Sequence, residues 1–208
     1  MNPEPTPRDP RRRGRRQLAL LAALFLAPLL VAFWLYYGPG AWRPSGGTNQ
    51  GDLVEPAVPL PDTALLRPDG THTRPQFLRG KWTLLYVGDG GCDARCRRAL
   101  YLSRQSRIAL NKDMDRVQRV FLATGDCCDT VFLAAEHADV AIALLGSDPA
   151  SQTLLAKFPG YDGVAAVAAG RTYVVDPLGN LVLSYPATAP DEALLEDMKR
   201  LLRLSHIG

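Results

Sequence analysis

Histidine is scarce in this sequence. The 208 residues include three histidines, His72, His137 and His206, and no two of them have the spacing of a metal-binding pair. The sequence therefore offers no motif for a site built on several imidazole ligands. We interpret His72 as an exposed residue beside a turn, His137 as a solvated residue in the middle of a helix, and His206 as part of a frayed terminus.

Net positive charge is lacking outside the N-terminal tail. Residues 1–17 contain six arginines and two acidic residues, and the whole chain has a net charge of +3, so residues 18–208 are close to neutral. The folded part therefore offers no cationic field, and we expect no nucleic-acid partner. We interpret the arginines between residues 95 and 107 as a solvated helix face, which could alternatively dock an acidic partner.

Charged residues are also absent from residues 18–37, an apolar segment long enough to span a bilayer. Because the arginines precede it, the positive-inside rule predicts a cytoplasmic N-terminus and a periplasmic domain in a Gram-negative cell. A cleaved signal peptide is the alternative, but its apolar region would be shorter, about 7–15 residues. We expect a cytoplasmic tail, 1–17, an anchor in the inner membrane, 18–37, a flexible linker, 38–52, and one domain, 53–208.

Two of the four cysteines, Cys92 and Cys96, follow an apolar run and a set of three glycines. Residues 82–87 have the composition of a buried strand, the glycines permit a sharp turn, and residues 97–111 read as a helix. Because residues i and i+4 share a helix face, we expect the two sulfur atoms to form a disulfide or to share a soft metal ion. The helix N-terminus and the nearby arginines should favour the thiolate, while Asp93 opposes it.

Cys92 and Cys96 could also form a purely structural disulfide. We prefer a functional role, because a disulfide placed for stability gains more when it closes a longer loop. Copper is a second interpretation, with Cu(I) favoured because thiolates are soft ligands that suit it.

A second pair of cysteines, Cys127 and Cys128, follows a strand predicted at residues 117–124. Because parallel strands end at the same sheet edge, we expect this pair to lie close to the first one. Either both are small half-buried loop residues, or one of them is a resolving thiol or a third soft ligand for the first pair. We disfavour a disulfide between them, since adjacent cysteines close a strained ring. Asp126 could accept a proton near the thiols or cap the following helix.

The remaining pattern alternates strands with helices, which indicates an α/β domain with a central mixed sheet flanked by helices. The strand–helix–strand unit around the first cysteine pair predicts two parallel strands with a right-handed crossover. Further strands are predicted at 140–145, 172–175 and 181–185, further helices at 130–138, 149–158 and 191–204, and a β-hairpin at 58–66 and 71–78.

Residues 80–96, with the pattern Gly-Lys-Trp-x-Leu-Leu-Tyr followed by Gly-x-x-x-Cys-x-x-x-Cys, resemble the Sco/SenC family. The similarity includes residues 173–180, Tyr-Val-Val-Asp-Pro-Leu-Gly-Asn. It implies a thioredoxin-like fold behind one membrane helix, and a role in building the binuclear copper centre of cytochrome c oxidase. The family's His-Cys-Pro opening is absent, and residues 168–171 read Ala-Ala-Gly-Arg where the family has its copper-binding histidine.

These observations leave three hypotheses. The first is an oxidase assembly factor that reduces partner cysteines or hands over Cu(I) at Cys92 and Cys96, with Cys127 and Cys128 as additional ligands. The second is a general periplasmic thiol–disulfide oxidoreductase, and the third is a non-catalytic interaction module. The missing histidine favours the last two over copper transfer, whereas the intact Cys-x-x-x-Cys favours the first two. The sequence therefore leaves open whether the chain is an enzyme.

Overall fold

The computed structural model describes residues 10–38 and 47–207, and the chain divides into two units, Met1–Gly47 and Thr48–Gly208. Much of the predicted tail and of the predicted linker lies outside the described residues. The boundary between the units falls within the predicted linker, ahead of the first strand.

The first unit contains helix α1, Pro10–Tyr37, which keeps Pro28 in its interior. The helix begins eight residues before the predicted apolar segment, so it includes part of the arginine-rich tail. Its apolar part, Gly14–Tyr37, has 24 residues. At about 1.5 Å per residue this part exceeds the hydrocarbon thickness of a bilayer, about 30 Å. By length and composition α1 can cross a membrane, as the predicted anchor requires.

The second unit is a six-stranded mixed sheet with helices on its faces. The strand order across the sheet is β1-β6-β5-β2-β3-β4. Strands β2, β3 and β4 are parallel, whereas β5, β6 and β1 pair antiparallel. The strands are β1 Asp52–Pro59, β2 Trp82–Asp89, β3 Val117–Thr124, β4 Val140–Leu145, β5 Thr172–Val175 and β6 Asn180–Tyr185. The helices are α2 Ala94–Ala109, α3 Thr130–Glu136, α4 Pro149–Leu155, α5 Ala166–Ala169 and α6 Ala193–Leu204, with a 3₁₀ turn at Asn111–Arg116.

Strand β2 lies inside the sheet, between β5 and β3. Its residues are buried on both faces, and within the strand only Asp89 is exposed. Leu85 and Val87 pack into the core on one face of the sheet. Leu84 packs on the other face, where the apolar stripe of α6 includes Met198. The continuous apolar run seen in the sequence is therefore typical of a strand covered on both sides.

The predicted β-hairpin is only partly correct. Residues 52–59 form strand β1, which pairs with β6 at the sheet edge instead of leading into a hairpin. The following segment folds into a narrow arm, in which Thr63 donates to the carbonyl of Pro75 at 3.0 Å and a single bridge joins Leu66 to His72. Regular strands do not form there because the prolines in the arm have no backbone N–H to donate.

Candidate dithiol site

Cys92 and Cys96 lie at the carboxyl end of the central strand. Helix α2 begins at Ala94, three residues earlier than predicted, and Asp93 is its N-cap. Cys92 therefore precedes the helix, and the prediction that the two cysteines share a helix face is wrong. The turn before the helix brings them together instead, with Cα atoms 5.0 Å apart and the sulfurs joined in a disulfide. Cys92 has a φ of 48°, a left-handed conformation that is uncommon for residues other than glycine.

Both sulfurs belong to a buried apolar cluster between α2 and the sheet. Cys92 and Cys96 are each 1% exposed. The cluster is completed by Tyr86, Ala99, Leu100, Phe121, Ala123 and Leu133. Burial and the nearby Asp93 carboxylate raise the pKa of Tyr86 to about 12, so its phenol stays protonated at neutral pH. The first pair is thus kept away from solvent.

The N-terminus of α2 is electrostatically balanced. The carboxylate of Asp93 accepts the N–H of Cys96 at 3.0 Å, and this bond lowers the pKa of Asp93 more than its contact with Arg95 does. The arginines expected to favour a thiolate are themselves paired, Arg95 with Asp93, Arg97 with Asp129 and Arg98 with Asp191. The positive charges of these three arginines are therefore largely neutralised by carboxylates of the same chain.

Arg97 connects the two cysteine loops. Its Nε donates to the carbonyl of Cys92 at 3.3 Å, and its Nη2 donates to Asp129 at 2.9 Å. The guanidinium also lies 4.1 Å above the ring of Phe132. Asp129 is the N-cap of α3 and directly follows the second cysteine pair. Sequence reasoning missed this role, because it depends on contacts between distant segments.

Cys127 and Cys128 lie at the same sheet edge as the first pair, as the parallel strands predict. Asp89 and Thr124 are in register, and the N–H of Gly90 donates to the carbonyl of Thr124 at 2.8 Å. The loops are so close that a Cβ atom on Gly90 would lie 2.7 Å from the Cα of Cys127. Both cysteines are half-buried and pack against the cluster that holds the first pair.

The structure places the sulfurs of Cys127 and Cys128 in contact with each other, whereas the sequence analysis disfavoured a disulfide between them. The loop turns directly after the pair, where Thr130 donates to the carbonyl of Cys128 at 2.7 Å. A disulfide between them would leave neither Cys127 nor Cys128 available as a third ligand. Asp126 is exposed beside them, and the cap of α3 is Asp129 instead.

The residues that occupy the position of the Sco/SenC histidine lie close to α2. Ala168 and Ala169 end the short helix α5, and Arg95 donates to the carbonyl of Ala168 at 3.1 Å. Within residues 10–38 and 47–207, no three His, Cys, Asp or Glu side chains are grouped to hold a metal ion. The donor set does not fit a copper site with an imidazole ligand. Two thiolates would become available only when the first pair is reduced.

His137 is buried, so its interpretation as a solvated residue is wrong. It is 4% exposed, and its Nδ1 lies 3.4 Å from Nη2 of Arg119, which is itself 1% exposed. Arg119 also donates to Ser103 at 3.1 Å and to Asp139 at 2.6 Å. Burial and the charge of Arg119 lower the pKa of His137. Arg119 interrupts the apolar run of β3, and this charged residue was the sequence signal for a buried polar cluster.

The described residues thus combine a buried cysteine pair at the strand–helix turn of a mixed α/β sheet with a helix that is long and apolar enough to cross a membrane. Together these features define the class of thioredoxin-like proteins that carry a candidate membrane anchor. The family described as "Transmembrane-like, thioredoxin-like, C-terminal domain" matches residues 82–205, and "Transmembrane-like, N-terminal domain" matches residues 7–39. The chain belongs to this transmembrane-like, thioredoxin-like family. No curated protein matches it.

Solved structures agree on the fold. Apo Sco1 from Thermus thermophilus is 22% identical over 76% of this chain and 99% of its own, with a TM-score of 0.58. Copper-bound yeast Sco1 is 17% identical over 73% of this chain and 96% of its own, with a TM-score of 0.59. A putative protein disulfide isomerase from Bacteroides thetaiotaomicron is 19% identical over 76% and 97%, with a TM-score of 0.53. The predicted thioredoxin-like fold and the Sco/SenC resemblance are confirmed at the level of the fold.

Proposed function

We propose that this chain is a membrane-anchored thiol–disulfide oxidoreductase that assists the assembly of cytochrome c oxidase, with Cys92 and Cys96 as its redox pair. The observation that carries the proposal is the pairing of these cysteines at the strand–helix turn of a thioredoxin-like fold. In the exchange a thiolate attacks a disulfide sulfur, a mixed disulfide forms, and a second thiolate resolves it. Two electrons and two protons pass between the partners, and no other reactant is needed.

The partner is a protein with a cysteine pair, and the Sco/SenC resemblance points to the oxidase subunit that carries the binuclear copper centre. A general periplasmic oxidoreductase of the same fold is the second candidate, supported by the similarity to a putative disulfide isomerase. The compensated arginines of α2 argue against a broad basic surface for an acidic partner.

The exchange is tested with the full-length chain in detergent, equilibrated in redox buffers of increasing reducing strength. Acid quenching, alkylation and peptide mapping report the state of each cysteine. We expect Cys92 and Cys96 to change from disulfide to dithiol together and reversibly, in the folded protein. A pair that stays oxidised until the protein unfolds would refute the proposed function.

Copper belongs to the proposal only as Cu(I) on the reduced thiolates of Cys92 and Cys96, with Cys127 and Cys128 as further donors once they are reduced. Thiolates are soft ligands that suit Cu(I), and bound copper would there be stored or handed over. The similarity to copper-bound Sco structures supports this part. The residues that hold it are the thiols themselves, because α5 supplies alanines at the histidine position.

Adding Cu(II) to the reduced full-length chain should give no stable copper–thiolate absorption band. Two Cu(II) ions would instead take one electron each from two thiolates, which leaves Cu(I) and a disulfide. Absorption spectra under anaerobic conditions, followed by alkylation, check both products. His137→Gln is the matched control and should change nothing. A stable band that disappears in His137→Gln would show that an imidazole site exists and would contradict our assignment.

The proposed location is the inner membrane, with the N-terminus in the cytoplasm and the domain in the periplasm. The arginines before the apolar part of α1 favour this orientation. A reporter enzyme fused after Gly208 should therefore be active only on the periplasmic side. The same fusion without residues 14–37 is the control and should stay in the cytoplasm. Cytoplasmic activity of the full-length fusion would overturn both the orientation and the oxidising compartment.

A further inference from the structure

The first cysteine pair is poorly accessible for a redox pair that acts on other proteins. Exchange requires that an attacking sulfur reach the disulfide directly. Cys92 and Cys96 are each 1% exposed, and the apolar cluster around them is continuous with the sheet. A folded partner cannot bring its own sulfur to this pair while the cluster stays closed.

The second pair lies where a thiol pair would have to lie in order to pass electrons between a partner protein and the buried pair. Cys127 and Cys128 are half-buried and pack against this cluster, so part of the pair reaches the surface. Their loop lies directly against the loop that precedes Cys92, since there is no room for a side chain on Gly90 beside Cys127. The two pairs therefore belong to one packed unit.

Arg97 holds the two loops in a fixed relation. It donates to the carbonyl of Cys92 and pairs with Asp129, the residue that follows Cys128. Its stacking on Phe132 adds a contact to the first turns of α3. Because one side chain binds both loops, the two cysteine pairs stay close without a large movement of either helix.

We propose that Cys127 and Cys128 form a shuttle pair, which exchanges with a dithiol of a partner protein and then with the buried pair. The inference rests on the proposed redox function of Cys92 and Cys96. A partner dithiol first reduces the Cys127–Cys128 disulfide and is itself oxidised. A thiolate of the shuttle pair then attacks the Cys92–Cys96 disulfide, and its neighbour resolves the mixed disulfide. The shuttle pair is oxidised again, and the buried pair has gained two electrons and two protons.

The relay is tested by mixing the oxidised full-length chain with reduced thioredoxin as the protein dithiol. Timed acid quenching and mass-resolved alkylation report each pair separately. In the unchanged chain, thiols should appear at Cys127 and Cys128 before they appear at Cys92 and Cys96. In the double variant with Cys127→Ser and Cys128→Ser, reduction of the buried pair by thioredoxin should slow by about tenfold or more, because thioredoxin has no direct access to the buried disulfide. Reduction by a small phosphine should be unchanged and is the matched control.

A second set of variants keeps the test decisive if that double variant folds poorly. Four chains that each retain one cysteine from each pair should form a disulfide between the pairs in at least one combination, as seen by peptide mapping. The absence of such a disulfide in all four would overturn the relay. Equal thioredoxin rates with and without the shuttle pair would also overturn it, but would leave the proposed function standing. Failure of every reductant to reach Cys92 and Cys96 in the folded chain would refute the proposed function itself.

Discussion

Replacing Cys92 and Cys96 with serine should halve the electrons that the reduced chain can deliver, from four to two. The chain has two cysteine pairs, and each disulfide takes up two electrons. The same double variant should lose only a modest part of its free energy of unfolding. The disulfide joins residues four apart, and closing so short a loop contributes about 2 kcal/mol in the chain-entropy account. A large redox effect with a small change in stability is what a functional pair predicts.

The measurement is the amount of an oxidised two-cysteine peptide that each reduced chain converts to its dithiol form. Ala99→Ser is the matched control, because it adds a hydroxyl to the same buried cluster without removing a thiol. It should keep the full electron capacity. If the double variant with Cys92→Ser and Cys96→Ser keeps that capacity as well, the first pair takes no part in exchange. A loss of stability far above this estimate, after allowance for the cost of a buried hydroxyl that Ala99→Ser measures, would instead identify it as a structural disulfide.

Strands β2, β3, β4 and β5 were predicted from the sequence within two residues, because each is a short apolar run between turn residues. The parallel arrangement of β2 and β3 followed from the length of the strand–helix–strand unit that they enclose. From that arrangement the neighbourhood of the two cysteine pairs could be predicted too. These inferences use local patterns and general topology, and no detailed packing is required.

The details of the site depend on contacts between distant segments, and these the sequence could not supply. The start of α2 was misjudged because Asp93 was considered as an opposing charge and not as a cap. The burial of His137 depends on Arg119, which lies 18 residues away in β3. The role of Arg97 likewise depends on Asp129, 32 residues further on. Periodicity within one element does not reveal such pairs.

Arg119→Met should lower the free energy of unfolding by about 3 kcal/mol, since removing one partner of a buried pair leaves the others unsatisfied. Arg119 is 1% exposed and donates to Asp139, Ser103 and the carbonyl of Leu100. The estimate is at the low end of the range for buried pairs because Asp139 is 38% exposed and can turn to water. Burial lowers the pKa of Arg119 to about 10, which still leaves the side chain charged at neutral pH.

Urea unfolding of the full-length chain in detergent, followed by near-ultraviolet circular dichroism, measures the loss. Arg104→Met is the matched control on the facing helix, because Arg104 and Glu136 form an exposed pair. It should cost about 1 kcal/mol or less. Arg119→Lys should recover only part of the stability, since an ammonium group cannot reproduce the planar set of donors that binds three acceptors at once. Equal losses in Arg119→Met and Arg104→Met would mean that the buried cluster contributes no more than a surface ion pair, and Arg119 would then have to be retained in β3 for another reason.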